Sequence, residues 1–122
     1  MNVLDASALL AFLQGEDGAS AVEAALESGG TCCGAANWSE MAQKIRAHGR
    51  NWDLSRSLMA VYGLEVEPVT AEDAEWAARR WVRDEGLSLA DRLCMALADR
   101  LDADVLTADR TWGTSGRIRQ IR

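Results

Sequence analysis

The chain has 122 residues, 48% hydrophobic and 26% charged, with a formal net charge of −6 and a pI near 4.7, a profile that fits one globular domain, residues 1–122, with a buried core. No run approaches the roughly 18 apolar residues of a membrane span, and no basic stretch leading into an apolar one marks an export signal, so a cytoplasmic location without membrane contact is expected. Net acidity argues against general nucleic-acid binding, because phosphate contact rests on Lys and Arg.

Taken in order, the apolar pattern predicts a strand over 2–4, a helix over 7–14 and a second helix over 20–28. The run TCCGA predicts a buried strand over 31–35. Helices follow over 37–48 and 51–62, then a strand over 64–69 that runs up to the sole proline, Pro68. The longest predicted helix covers 70–85, where Ala74, Ala77, Ala78, Trp81 and Val82 form an i, i+3, i+4, i+7, i+8 stripe that places Trp81 in the core. A helix over 88–101 carries Leu93, Cys94, Leu97 and Leu101 on its apolar side. A strand over 103–108 and a final edge strand over 116–122 complete the chain. On that last strand Arg117 and Arg119 share a face, with Ile118 and Ile121 on the other. Strands alternating with helices predict an α/β fold: a mostly parallel sheet of four to five strands with helices on both faces.

The three cysteines, Cys32, Cys33 and Cys94, read as buried small hydrophobes rather than a disulfide framework. His48 is the only histidine and no C-x-x-C occurs, which argues against a structural zinc site.

Four acids stand out by position. Asp5 and Asp109 follow the first and fourth predicted strands, and parallel sheets bind ligands beyond the carboxyl ends of their strands. Glu40 and Asp91 fall near the starts of predicted helices. Each has a local explanation. Asp5 can cap the first helix, Asn37-x-x-Glu40 and Ser88-x-x-Asp91 fit capping boxes, and Asp109 can open a turn. Jointly, four carboxylates in one cleft repel unless some take up protons or a cation intervenes. Oxygen-only ligands suit Mg²⁺ or Mn²⁺, and such an ion can activate water against a phosphodiester.

The segments Asp5-Ala6-Ser7, Asn37-x-x-Glu40, Leu87-Ser88-Leu89-Ala90-Asp91-Arg92 and Leu106-Thr107-Ala108-Asp109-Arg110-x-Trp112 resemble, in order and over essentially the whole chain, a PIN domain. More narrowly, they resemble the VapC toxins of bacterial toxin–antitoxin pairs. The resemblance implies a three-layer PIN-like sandwich and a Mg²⁺- or Mn²⁺-dependent endoribonuclease acting on a structured tRNA or rRNA loop. It implies catalytic and metal-holding roles for Asp5, Glu40, Asp91 and Asp109, with Ser7, Asn37 and Thr107 in support. It further implies a homodimer and a small cognate antitoxin.

Two basic strips temper the net acidity. One runs Lys44, Arg46, His48, Arg50; the other holds Arg110, Arg117, Arg119 and Arg122 with no acid after Asp109. Lys44, Arg46, Arg92, Arg110, Arg117 and Arg119 are candidate RNA contacts. Two rivals are a receiver-like signalling domain and a catalytically inactive PIN interaction module. The first needs a lysine ending a later strand, and the only lysine, Lys44, falls in a predicted helix. The second sits poorly with four intact acids.

Overall fold

The computed structural model describes residues 1–122. The chain runs β1 (Asn2–Leu4), α1 (Ala6–Gln14), α2 (Ala19–Ser28), β2 (Thr31–Gly34), α3 (Ala35–Ala47), α4 (Trp52–Val61), β3 (Glu65–Glu67), α5 (Ala71–Arg80), α6 (Leu89–Leu101), β4 (Asp104–Thr107), a 3-10 turn (Arg110–Trp112) and β5 (Ile118–Gln120). The five strands form one sheet in the order β3-β2-β1-β4-β5, and every neighbouring pair is parallel. The order differs from the 2-1-3-4-5 arrangement of receiver-type folds.

Strand alternation divides the core into two layers. Leu4 and Cys33 point to one side, where they meet Leu9, Val22, Met41, Ile45 and Met59 from the first four helices. Val3, Cys32 and Val105 point to the other side, against Cys94, Leu97 and Trp112. Each fully buried Val, Leu, Ile or Met contributes roughly 1.5–3 kcal/mol by leaving water, so ten such side chains hold a sheet whose strands are only three or four residues long. All three cysteines are free and buried, and burial pushes the Cys32 thiol up to about 11.

Two elements depart from the sequence pattern. The helix expected over 70–85 stops at Arg80, and the longest helices are α3 and α6, of 13 residues each. Its buried face is one position away from the expected stripe: Asp73 and Ala77 are inside, while Ala74, Ala78, Trp81 and Val82 are exposed. A charged residue decides the rotation. Asp73 closes a capping box with Thr70 and is held by Arg100 from α6 at 3.1 Å. Burial raises its carboxyl, but the Arg100 and Thr70 bonds outweigh this and keep it below the ordinary range. A buried, paired Asp thus takes a core position that hydrophobic periodicity assigns to alanine. On β5, Ile118 packs with the α6 layer and Ile121 with the α1 layer. The three-residue spacing sends them to opposite faces.

One glycine sits where nothing larger fits. Gly18 has φ +92, and a Cβ there would lie 2.7 Å from the Ile121 side chain and 2.9 Å from its carbonyl oxygen. This contact brings the C-terminal residues under the start of α2.

Candidate active site

β1 is the middle strand, and the chain leaves it at Asp5. The Asp5 N–H continues the ladder by donating to Leu106 O at 3.2 Å. Its side chain then turns to cap α1, accepting the Ala8 N–H at 2.8 Å. Two hydroxyls complete the enclosure. Ser7 Oγ lies 2.7 and 2.9 Å from the two carboxylate oxygens, and Thr107 Oγ1, at the end of β4, donates to Oδ2 at 2.6 Å. Both hydroxyls also accept backbone N–H groups of the β4 exit, Ser7 from Ala108 at 2.9 Å and Thr107 from Asp109 at 3.0 Å. Asp5, Ser7 and Thr107 therefore form one polar knot joining the ends of two parallel strands, and Asp5 is only 4% exposed.

Burial raises the Asp5 carboxyl from 3.8 to about 6, against the lowering effect of its hydrogen bonds, and the negative charge of Asp91 raises it further. Helix capping alone does not require this. Serine or asparagine caps as well without a buried charge, so the carboxylate is held here at a cost.

Asp91 reaches the same edge from above. Helix α6 runs opposite to the strands, which puts its first turn at their carboxyl ends. Asp91 Oδ2 accepts the Ser88 N–H at 2.9 Å and Ser88 Oγ accepts the Asp91 N–H at 3.1 Å, so the capping box read from the sequence is present. The other oxygen of Asp91 has no protein partner. Asp109 follows β4 and opens the 3-10 turn, its Oδ1 accepting from Thr111 N–H at 2.9 Å and Thr111 Oγ1 at 2.7 Å. Its position is fixed by Gln120, whose Nε2 donates to Asp109 O and Gly113 O, both at 2.9 Å. Gln120 was not singled out from the sequence; its only signal there is a lone amide in a basic strand beside the Asp109 loop.

Glu40 and Asn37 are placed differently from the capping-box expectation. Helix α3 starts at Ala35 with Gly34 as N-cap, so Asn37 lies inside the first turn and Glu40 in the second. The cause is the direct passage from β2 into α3, which leaves no residue for a side-chain cap. Asn37 is buried, and its Nδ2 donates to Ala90 O at 3.3 Å, tying the starts of α3 and α6 beside Asp91. Its Oδ1 is buried without a partner. Glu40 is partly exposed and lies 3.8 Å from Lys44.

The basic candidates scatter. Arg92 turns away from the edge, donating to Ala77 O at 2.7 Å. Arg117 pairs with Asp102 at 2.8 Å and Arg119 with Asp104 at 3.5 Å, both acids at the amino end of β4. Arg110 and Arg46 are exposed and have no ion-pair partner, and Lys44 shares Glu40. Of the C-terminal arginines, only Arg110 adjoins an acid of the site.

The acids suit a hard divalent cation in donor type and charge: every donor is oxygen, the buried Asp5 carboxylate feels the charge of Asp91, and Asp91 and Asp109 each keep one oxygen free of hydrogen bonds. They are not drawn into a closed cage, since no three His, Cys, Asp or Glu side chains gather closely enough to hold an ion. The two largest clefts, about 420 and 270 Å³, lie along α5 and α6 rather than at this edge.

A family model, that of the PIN domain, matches residues 3–114. The chain belongs to the PIN domain family. Solved structures agree on the fold. A toxin–antitoxin complex from Klebsiella pneumoniae superposes with a TM-score of 0.75 at 17% identity, covering 100% of this chain and 98% of that one. Mycobacterium tuberculosis VapC20, described as a sarcin-ricin loop cleaving toxin, gives 0.75 at 18% identity, over 96% of each chain. VapBC2 from Rickettsia felis, bound to a fragment of promoter DNA, gives 0.69 at 13% identity, over 98% and 97%. No curated protein matches the chain by sequence. The α/β fold expected from the sequence is thus the PIN fold, with Asp5, Asn37, Thr107 and Asp109 at or beside the carboxyl ends of its strands.

Proposed function

We propose that this PIN domain is a Mg²⁺- or Mn²⁺-dependent endoribonuclease of the VapC toxin type, cutting a structured cellular RNA and silenced by a cognate antitoxin. The observation that carries the reading is Asp5: a carboxylate at the end of the central strand, buried at a cost, fully cradled and facing Asp91. In this reading Asp5 and Asp91 hold the ion, with Asp109 and Glu40 completing the set. The bound cation supplies a polarised water and neutralises charge on the phosphodiester. Ser7 and Thr107 fix the Asp5 carboxylate in place, and Asn37 fixes the α6 start that carries Asp91. Hydrolysis by water leaves a 5′-phosphate and a 3′-hydroxyl. The alternative, attack by the ribose 2′-hydroxyl, would instead leave a 2′,3′-cyclic phosphate and a 5′-hydroxyl, so the chemistry of the new ends distinguishes the two.

The toxin and antitoxin parts rest on fold likeness to proteins described as toxins and toxin–antitoxin complexes. Exposed Lys44, Arg46 and Arg110 are the RNA contacts this reading retains. The test is cleavage of total RNA by the purified protein with Mn²⁺ or with EDTA, alongside the Asp91→Asn variant. Cleavage that needs both the metal and Asp91 supports the reading. Equal cleavage in EDTA, or by the variant, removes it.

A further inference from the structure

The turn between α5 and α6, which leads into the helix start that carries Asp91, bears an exposed aromatic. Trp81 ends α5 with extended backbone, φ −63 and ψ 133, and half of its surface, 50%, is exposed. The Arg83 guanidinium lies over its ring, 5.5 Å from the centroid, and forms no ion pair with any carboxylate.

Local bonds set the turn rigidly. Arg80 grips Glu85 with both terminal nitrogens, at 2.6 and 2.9 Å, and Asp84 accepts the left-handed conformation, φ 63, that the reversal needs. Arg92, next to Asp91, donates to Ala77 O near the end of α5. The turn is thereby tied to α6, the helix whose first turn carries Asp91.

The half of the Trp81 indole that is exposed to water gains nothing for the fold, and the partly buried Trp76, five residues earlier, already packs against the α6 layer. Every nucleobase offers a π face to an aromatic ring, and an unpaired arginine supplies a phosphate contact.

We propose that Trp81, backed by Arg83, is a stacking platform for an unpaired base of the RNA strand entering the Asp5–Asp91 edge. The inference rests on the ribonuclease reading for its substrate class. It adds a positioning residue that grips RNA without touching the reacting atoms. A flexible loop would spend binding energy on ordering itself, whereas the Arg80–Glu85 clasp presents the ring already in place.

Binding is measured with the whole protein in EDTA, using a fluorescein-labelled single-stranded RNA of about 12 nucleotides, a length within the usual span of such sites. Trp81→Ala weakens binding by about 5- to 150-fold, the range for losing one stacked base, and Trp81→Phe restores most of it. Arg83→Ala flattens the salt dependence by about 0.7 in slope, one phosphate contact on a single strand. Melting temperatures of all three variants stay near that of the parent, since the ring is not part of the core. Unchanged RNA affinity in Trp81→Ala, an unchanged salt slope in Arg83→Ala, or no binding by the parent protein overturns the platform. Mn²⁺-dependent cleavage by the parent protein, measured in parallel, tests the ribonuclease reading separately, so that failure of one is not mistaken for failure of the other.

Discussion

Replacing Asp5 with Asn separates a structural cap from a carboxylate kept for chemistry, because the two roles predict opposite signs. Burial raises the Asp5 carboxyl from 3.8 to about 6. Its folded-state value therefore lies above its unfolded one. The associated stability is fully present below about pH 4 and is lost as the pH rises through about 6. At neutral pH, ionising the buried group costs about 3 kcal/mol. Asn keeps the volume, and its Oδ1 can still accept the Ala8 N–H. Its Nδ2 meets Thr107 Oγ1, which must turn from donor to acceptor, forfeiting about 1 kcal/mol. The balance is a stabilisation of about 1–2 kcal/mol at neutral pH, or roughly 3–10 °C in melting temperature for a domain of this size. Below about pH 4 the gain disappears and the lost hydrogen bond leaves the variant the less stable of the two. Melts of both proteins in EDTA across this range measure the crossing. A variant less stable than the parent at neutral pH, by an amount independent of pH, would refute the reasoning and leave Asp5 a cap.

Four further outcomes follow from the same geometry. Saturating Mn²⁺, at about 100 times its Kd, raises stability by roughly 2.7 kcal/mol in the parent and not in Asp5→Asn, as read by thermal melting. Asp91→Asn abolishes RNA cleavage in a gel assay, while its Oδ1 can still accept the Ser88 N–H and stability changes by no more than about 1 kcal/mol. Gly18→Ala costs about 2–4 kcal/mol in denaturant unfolding, because a left-handed backbone and a clash with Ile121 act together. Arg100→Ala leaves Asp73 buried and unpaired, costing about 1–3 kcal/mol at neutral pH; the deficit shrinks in acid, as pH falls through the depressed Asp73 range and the carboxyl neutralises.

The sequence carried the fold because its short strands are bounded by glycine and acid, and because its helices alternate with them. It carried Asp5, Asp91 and Asp109 because each stands at a junction where a parallel sheet opens. What it did not carry are the places where a polar contact overrules a pattern. The face of α5 is turned by the Asp73–Arg100 pair, between residues 27 positions apart, which no periodicity can register. That turn also puts Trp81 outside, although its spacing reads as core. The Asn37 side chain bonds Ala90 across 53 positions, so a motif that reads as a local capping box is a tertiary tie. Arg117 and Arg119 form an alternating basic row, yet Asp102 at the end of α6 and Asp104 on the neighbouring strand pair with them. Parallel pairing joins distant segments, and their side-chain partners follow from register rather than from local spacing.

Hydrolysis of RNA at the Asp5–Asp91 edge is read from the chemistry of the 5′ ends it leaves. Total RNA is treated with the purified protein and Mn²⁺, and the new ends are sequenced by a method that requires a 5′-phosphate, with and without prior phosphorylation of any 5′-hydroxyls by a polynucleotide kinase. A few discrete phosphate-bearing ends are expected with the parent protein and none with Asp91→Asn or with EDTA. New ends bearing 5′-hydroxyls, or phosphate-bearing ends equally abundant with Asp91→Asn, would contradict it.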